Sequence, residues 1–225
     1  RSALFWAGAL LLLLWLAKTI STIPWFGQIA LLGVAAMQLY LPIWRCDRHG
    51  LPEGAVGLSL GAWRRDIRLM AYLVIFTFPV YIVGHYVFLV HGRGLVEALG
   101  WQELGEWLPV YRWVPHLPAS LPVWREAIWW FGELILTHTL GVALPEETFY
   151  RGYLLPQLQH WWRPLWRVMG VKVGWATVIA SFLFALGHFI GEWNPLRLAP
   201  IFPALIFSWQ RNATGSIVGA IGYHA

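Results

Sequence analysis

The sequence predicts an all-α membrane protein, a polytopic bundle of about seven to eight transmembrane helices. Hydrophobic residues make up 58% of the 225 residues and charged residues only 12%, whereas soluble domains carry about 25% charged residues. The 17 tryptophans point the same way, because Trp collects where apolar segments meet lipid headgroups. We therefore expect an integral membrane protein whose first partner is the bilayer.

Apolar segments separated by polar loops define the expected crossings. Prolines 200 and 203 predict a kink in the sixth of them. A short surface helix is expected over 95–108, and prolines 109, 115, 118 and 122 oppose a long helix after it. The expected crossings are about 3–18, 29–44, 67–90, 125–160, 173–190, 196–209 and, beginning after Asn212, a seventh.

We find no internal repeat, and we expect a single transmembrane domain over 1–225 with a motif-bearing core at about 125–225. The chain begins with Arg1 rather than Met and stops at Ala225 inside a helix, so both ends look clipped. The lone Cys46 excludes a disulfide framework and any multi-cysteine metal site.

The positive charges indicate an orientation in the membrane rather than nucleic-acid binding. The net charge is +5, but the basic residues are scattered over short loops between helices. The loops 45–68 and 161–172 are basic, and short basic loops stay in the cytoplasm. The more acidic segment 91–124 then faces outward. We predict no nucleic-acid partner.

One apolar stretch carries three charges. Glu146, Glu147 and Arg151 lie in a run that is otherwise rich in Leu, Phe, Tyr and Gly, and an ionisable residue inside a bilayer indicates function. Glu147 and Arg151 are spaced i, i+4 and can neutralise each other on one helix face. Glu146 points about 100° away, which leaves it as the candidate base. Pro145 removes a backbone hydrogen bond beside it and can admit water.

Depth along the helices predicts that three ionisable residues meet. Tryptophan pairs at 129–130 and 161–162 bracket the fourth crossing, which at about 1.5 Å per residue spans roughly 46 Å, close to a bilayer with its headgroups. The midpoint falls at Glu146. Counted from the cytoplasmic ends, Glu146 and His188 lie about 21–23 Å deep and His224 about 17 Å. This agreement favours one shared site.

Structural interpretations stay open for each group taken alone. Glu147 and Arg151 can be a purely structural pair, and His188 can be a hydrogen-bonded packing residue. Phe184, one turn before His188, is a core residue under any interpretation. The sequence has no His-Glu-x-x-His zinc motif, no Gly-x-Ser-Gly serine site and no Gly-x-Gly-Asp aspartyl pair. Of the intramembrane protease chemistries, the one that remains uses glutamate and histidine side chains.

These motifs resemble those of the CPBP intramembrane proteases, which include the type II CAAX-prenyl endopeptidases and the Abi-like proteins. The family pattern is Glu-Glu-x-x-x-Arg, then Phe-x-x-x-His, then His-x-x-x-Asn. Glu146-Glu147-x-x-x-Arg151 matches the first and Phe184-x-x-x-His188 the second. His224 resembles the start of the third, whose Asn would fall at position 228. The resemblance covers about residues 125–225.

The resemblance implies an intramembrane endopeptidase acting on a membrane-anchored or C-terminally tagged protein. Glu146 would activate the attacking water, His188 would assist it, and His224 would stabilise the oxyanion. Glu147, Arg151 and Phe184 would support the site. A glutamic and a metal-dependent mechanism both stay open, because Glu146, His188 and His224 can also ligate Zn²⁺ with an open water position.

The expected setting is a bacterial plasma membrane, and a myxosortase-like substrate, a C-terminal sorting tail, is one expectation within the family. Two other functions remain. The chain can be a non-catalytic scaffold or bacteriocin-immunity member of the same family. Alternatively, it can be a small proton-coupled transporter, although it lacks the paired broken helices of such folds.

Overall fold

The computed structural model describes residues 2–20, 23, 25–51, 54–108 and 124–225. Over these residues all regular secondary structure is helical apart from one small hairpin, so the all-α prediction is confirmed. The α-helices are α1 (Ser2–Ile20), α2 (Phe26–Arg48), α3 (Trp63–Ala98), α4 (Gln102–Glu106), α5 (Trp124–His138), α6 (Leu144–Glu147), α7 (Leu155–Trp161), α8 (Trp175–Phe189), α9 (Ile201–Thr214) and α10 (Val218–His224). The strands are β1 (Trp166–Val168) and β2 (Val171–Val173), and single-turn helices cover Leu60–Ala62 and Pro195–Leu198.

Within the described residues, 4 helical stretches are long and apolar enough to cross a membrane. They are Ser2–Ile20, Phe26–Arg48, Leu60–Ala98 and Glu126–Trp161. Helix α8 is a shorter apolar helix. The total of seven to eight crossings stays a prediction.

Several helix boundaries differ from those predicted from the sequence. Helix α3 continues to Ala98, so the expected surface helix over 95–108 is reduced to the short α4. The prolines at 109, 115, 118 and 122 lie outside the described residues. The sixth crossing, expected over 196–209, divides into the single-turn helix Pro195–Leu198 and α9, with Pro200 directly before α9 and Pro203 in its first turn. The first four N–H groups of a helix have no partner within it, so proline is tolerated there.

The predicted basic loop after α7 contains an antiparallel hairpin of β1 and β2. Its turn, Met169-Gly170, has positive φ angles of 50° and 81°, the conformation that two-residue hairpin turns favour. The Trp209 indole N–H donates to the Val168 carbonyl at 2.9 Å. This bond fixes the hairpin against α9.

Contacts divide the chain into two compact units. One combines Arg1–Met70 with Leu134–Ala225, and the other is Ala71–Glu133. The second unit contains an exposed ion pair, Arg93 and Glu97, with Nε and Oε1 2.7 Å apart. All of the candidate site residues belong to the first unit. The prediction of one transmembrane domain is not decided by this division.

Small residues allow the helices of the first unit to approach closely. Helix α1 buries Ala3, Ala7, Leu10 and Ala17, which lie along one face. Helix α8 buries mostly small side chains around one large one, Phe184. Small residues at helix interfaces are what close packing in a membrane requires. The two helices can therefore lie directly against the segment that carries the two glutamates.

Candidate functional site

The helix that carries the glutamates is irregular on both sides of them. Residues Thr139–Ala143 and Thr148–Leu154 adopt wider π-helical turns, and the short α6 between them begins at Leu144-Pro145. Proline cannot supply the N–H that a regular helix needs at its position. Such π-helical turns are frequent at functional sites. Glu146 and Glu147 thus lie where the backbone departs from a regular helix.

Glu147 and Arg151 form the predicted i, i+4 pair. The Nη1 atom of Arg151 donates to Oε1 of Glu147 at 3.0 Å, and both side chains are 0% exposed. Nη2 donates to the Ala204 carbonyl at 3.1 Å. The guanidinium carbon also lies 4.5 Å from the ring centre of Phe184 and 4.9 Å from that of Phe207. Buried charges persist when paired and hydrogen-bonded in this way.

His224 contacts both glutamates. Its Nδ1 lies 2.9 Å from Oε1 of Glu147, so the ring donates an N–H to that carboxylate. Its Nε2 lies 3.7 Å from Oε2 of Glu146, which is too long for a hydrogen bond. The ring stacks on Phe207 with 4.9 Å between ring centres. Helix α10 therefore places an imidazole directly against the pair of acids.

Glu146 and His188 line the same cavity, which has a volume of about 180 Å³. The remaining lining residues are Leu14, Lys18, Leu31, Gln38, Tyr150, Phe184 and Gly187. His224 is not among them. Oε2 of Glu146 has no hydrogen-bond partner in the described part of the chain. A cavity of this size can hold several water molecules where polar groups such as Glu146, His188 and Gln38 reach into its mostly apolar wall.

The ring of His188 is oriented by its own helix. Nδ1 lies 3.1 Å from the Phe184 carbonyl oxygen, and a carbonyl can only accept, so Nδ1 carries the proton. Nε2 is then left as the acceptor. The Phe184 ring lies 4.7 Å from that of His188 and 5.8 Å from that of His224. The four-residue spacing of Phe184 and His188 therefore has a direct structural role.

Sequence reasoning missed Lys18, which holds the end of α8. Its Nζ donates to the carbonyl oxygens of Gly187 at 3.3 Å and His188 at 3.0 Å, and lies 3.7 Å from Oε1 of Glu192. Gly191 has φ of 93°, and a Cβ there would come within 2.7 Å of the Lys18 side chain. Only glycine suits both constraints. A lysine at the end of an apolar helix was the available signal.

Sequence reasoning also missed Gln38, near the middle of α2. Its side chain is buried, and it lines the cavity beside Glu146. A polar residue in the middle of an apolar crossing was a signal in the sequence. Nothing in the sequence indicated which other helix it would face.

The sequence proposed three zinc ligands, Glu146, His188 and His224. Within 2–20, 23, 25–51, 54–108 and 124–225, no three His, Cys, Asp or Glu side chains are placed to hold a metal ion. The Nδ1 atoms of His188 and His224 are each engaged with protein oxygens, which leaves both Nε2 atoms without a hydrogen bond in the described part of the chain, as in most metal-bound histidines. Zinc binding by Glu146, His188 and His224 stays a prediction.

Replacing Gly152 by Ala should destabilise the protein. An added Cβ would lie 2.6 Å from the backbone oxygen of Val56, which cannot move as a side chain can. Overpacking of this kind costs about 1–3 kcal/mol. The free energy of unfolding of the purified protein in detergent measures it. Gly33→Ala is the control, because a Cβ there meets nothing within 4 Å, and equal stability of the two variants would contradict the prediction.

Comparison with known proteins identifies one family. Residues 128–225 match the family model described as Rce1-like, type II CAAX prenyl endopeptidase. The match confirms the resemblance seen in the motifs and covers less than half of the chain. No curated protein and no solved structure matches it. The matched segment contains Glu146, His188 and His224, whereas Lys18 and Gln38 lie outside it.

Proposed function

On the premise that residues 128–225 match the Rce1-like type II CAAX prenyl endopeptidases, we propose that this chain hydrolyses peptide bonds with a water activated by Glu146. The family match supports an intramembrane protease in general terms. The observation that carries the residue assignment is the cavity shared by Glu146 and His188. An acid on one helix and an imidazole on another can there contact a single water molecule.

In the proposed reaction Glu146 takes up one proton and later gives it back. The carboxylate takes one proton from water while the water oxygen forms a bond to the scissile carbonyl carbon. The carbonyl oxygen becomes an oxyanion. When the tetrahedral intermediate collapses, the C–N bond breaks and Glu146 returns its proton to the leaving nitrogen. The products are one carboxyl and one amine terminus.

His188 and His224 have separate roles in this proposal. With its proton on Nδ1, His188 presents Nε2 as an acceptor that orients the attacking water. His224 donates from Nδ1 to Glu147, and a protonated Nε2 would supply a donor for the oxyanion. Glu147 and Arg151 hold the helix that carries Glu146. In this proposal the cavity supplies a base and an orienting group, and His224, whose Nε2 lies 3.7 Å from Oε2 of Glu146, supplies the oxyanion donor from outside the cavity lining.

The proposed substrate is the C-terminal part of a membrane-anchored protein. The matched family is described as a CAAX prenyl endopeptidase, so a prenylated CAAX end is one candidate. A membrane-embedded sorting tail is the alternative of the same class. The compact loops favour a bacterial plasma membrane as the setting. An apolar, lipid-facing enzyme surface suits a substrate that is itself held in the bilayer.

Purified protein in liposomes tests the proposal against two internally quenched peptides. One ends in a prenylated CAAX sequence and the other is a single transmembrane segment with a polar tail. In water enriched in ¹⁸O, we expect one peptide to be cut with one ¹⁸O atom in the new carboxyl group. The cleavage rate should be unchanged by EDTA or phenanthroline, with a known zinc peptidase as the positive control. No cleavage of either peptide would contradict the proposed function, and loss of activity restored by Zn²⁺ would contradict the metal-free scheme.

A further inference from the structure

Gln38 places a neutral amide in the cavity that holds Glu146 and His188. The side chain is only 4% exposed, and it lines this cavity from α2. In the part of the chain that the structure describes, no hydrogen bond joins its amide to another residue, and the amide atoms are not among the fully enclosed polar atoms without a partner, so they keep an accessible surface. The other buried positions of α2 are Gly27, Val34, Leu41 and Pro42, all without polar side chains. The amide therefore has no protein partner on its own helix face.

Stability does not explain why a glutamine occupies position 38. An amide without a protein partner adds little to stability, and full enclosure without a hydrogen bond costs about 1–3 kcal/mol in proteins. A leucine at position 38 would fill similar space without that cost. A residue that is less favourable for packing than an apolar one is expected at positions where function requires it. We therefore expect a ligand to enter the cavity and accept a hydrogen bond from the side-chain N–H of Gln38.

We infer that Gln38 is a substrate-binding residue whose side-chain N–H donates to the carbonyl oxygen of the peptide bond that is cut. The inference rests on the proposed function. Since the donor lies in the cavity shared with Glu146, the same N–H can follow that oxygen as it becomes an oxyanion. A neutral amide suits this task, because a cation at the same place would instead pair with the Glu146 carboxylate.

Lys18 is another donor in the cavity wall, where the Tyr150 hydroxyl also lies, and the ammonium is less suited to this role. Its ammonium is already bonded to the carbonyl oxygens of Gly187 and His188. Recruiting it to the substrate would release the end of α8 and with it His188. Gln38 can bind the substrate without breaking any contact that holds the site.

The test compares Gln38→Leu with Gln210→Leu. Gln210, on α9, is 2% exposed, both polar atoms of its amide lack a hydrogen-bond partner among the described residues, and it does not line the cavity. Both variants remove an amide without a hydrogen bond to the described part of the protein, and only that of Gln210 is fully enclosed. Gln38→Leu should therefore unfold at about the same temperature as the unmodified protein, and Gln210→Leu at the same temperature or higher. Only Gln38→Leu should lose peptidase activity, by about 10²–10³ in kcat, the usual effect of losing one oxyanion donor.

Each other outcome overturns the inference. Full activity of Gln38→Leu would show that the amide does not contact the substrate. A loss of activity together with a lower unfolding temperature would show a structural role, and an equal loss in Gln210→Leu would show that the effect is not specific to the cavity. If the unmodified protein cleaves neither peptide, the proposed function is contradicted, and the inference that rests on it is contradicted too. If the unmodified protein is active, the outcomes above test the inference alone.

Discussion

Replacing Glu146 by Gln is expected to slow peptide hydrolysis by a factor of about 10²–10⁴, the usual contribution of a general base. The amide keeps the shape of the side chain but cannot take a proton from water. The fold should be little affected, because Oε2 of Glu146 has no hydrogen-bond partner in the described residues and its contact with His224 is 3.7 Å long. Single-turnover cleavage in liposomes measures the rate, and thermal unfolding in detergent measures the stability.

The matched control is Glu126→Gln, at an exposed position in the first turn of α5. It removes one carboxylate from the same long apolar stretch without touching the cavity. We expect its cleavage rate to equal that of the unmodified protein. A Glu146→Gln variant as active as this control would remove the basis of the proposed mechanism.

Breaking the buried pair of Glu147 and Arg151 should have the largest effect on stability. Either Arg151→Met or Glu147→Gln leaves one charge buried without its partner, which costs about 3–5 kcal/mol. The double variant should cost less than the sum of the two, because no unpaired charge remains. Chemical denaturation of the four proteins in detergent gives the coupling between the two positions.

An exposed pair of identical spacing provides the control. Arg93 and Glu97 are also four residues apart and in contact at 2.7 Å, but each side chain is 41% exposed. Arg93→Met should cost only about 0.3–0.5 kcal/mol, the usual value of an exposed pair on a helix. If Arg93→Met and Arg151→Met cost the same, burial of the second pair is not what makes it important.

Local features of the fold and site could be predicted from the sequence. The pairing of Glu147 with Arg151 follows from helical spacing alone, and the apolar runs identified the long helices. The similar depths of Glu146 and His188 followed from counting residues at a known rise per residue. Each of these arguments needs only the geometry of one helix, or of two helices joined by a short loop.

Features that depend on which helices touch were not predictable in this way. Gln38 and Lys18 reach the cavity because α1 and α2 pack against the glutamate segment and α8. The sequence does not show that such distant segments are in contact. The hairpin of β1 and β2 was hidden because a short strand pair inside a basic loop has little apolar patterning. The π-helical turns around Glu146 likewise depend on the packing of the whole bundle.

A kinetic cycle with Glu146→Gln, His188→Asn and the double variant tests the central claim most directly. If the two side chains act on one water molecule, single-turnover rates should fall strongly in each single variant and scarcely further in the double variant, because residues that act as a unit are not additive. If instead the double variant loses the product of the two single effects, Glu146 and His188 act independently, and the shared cavity is not the site of hydrolysis.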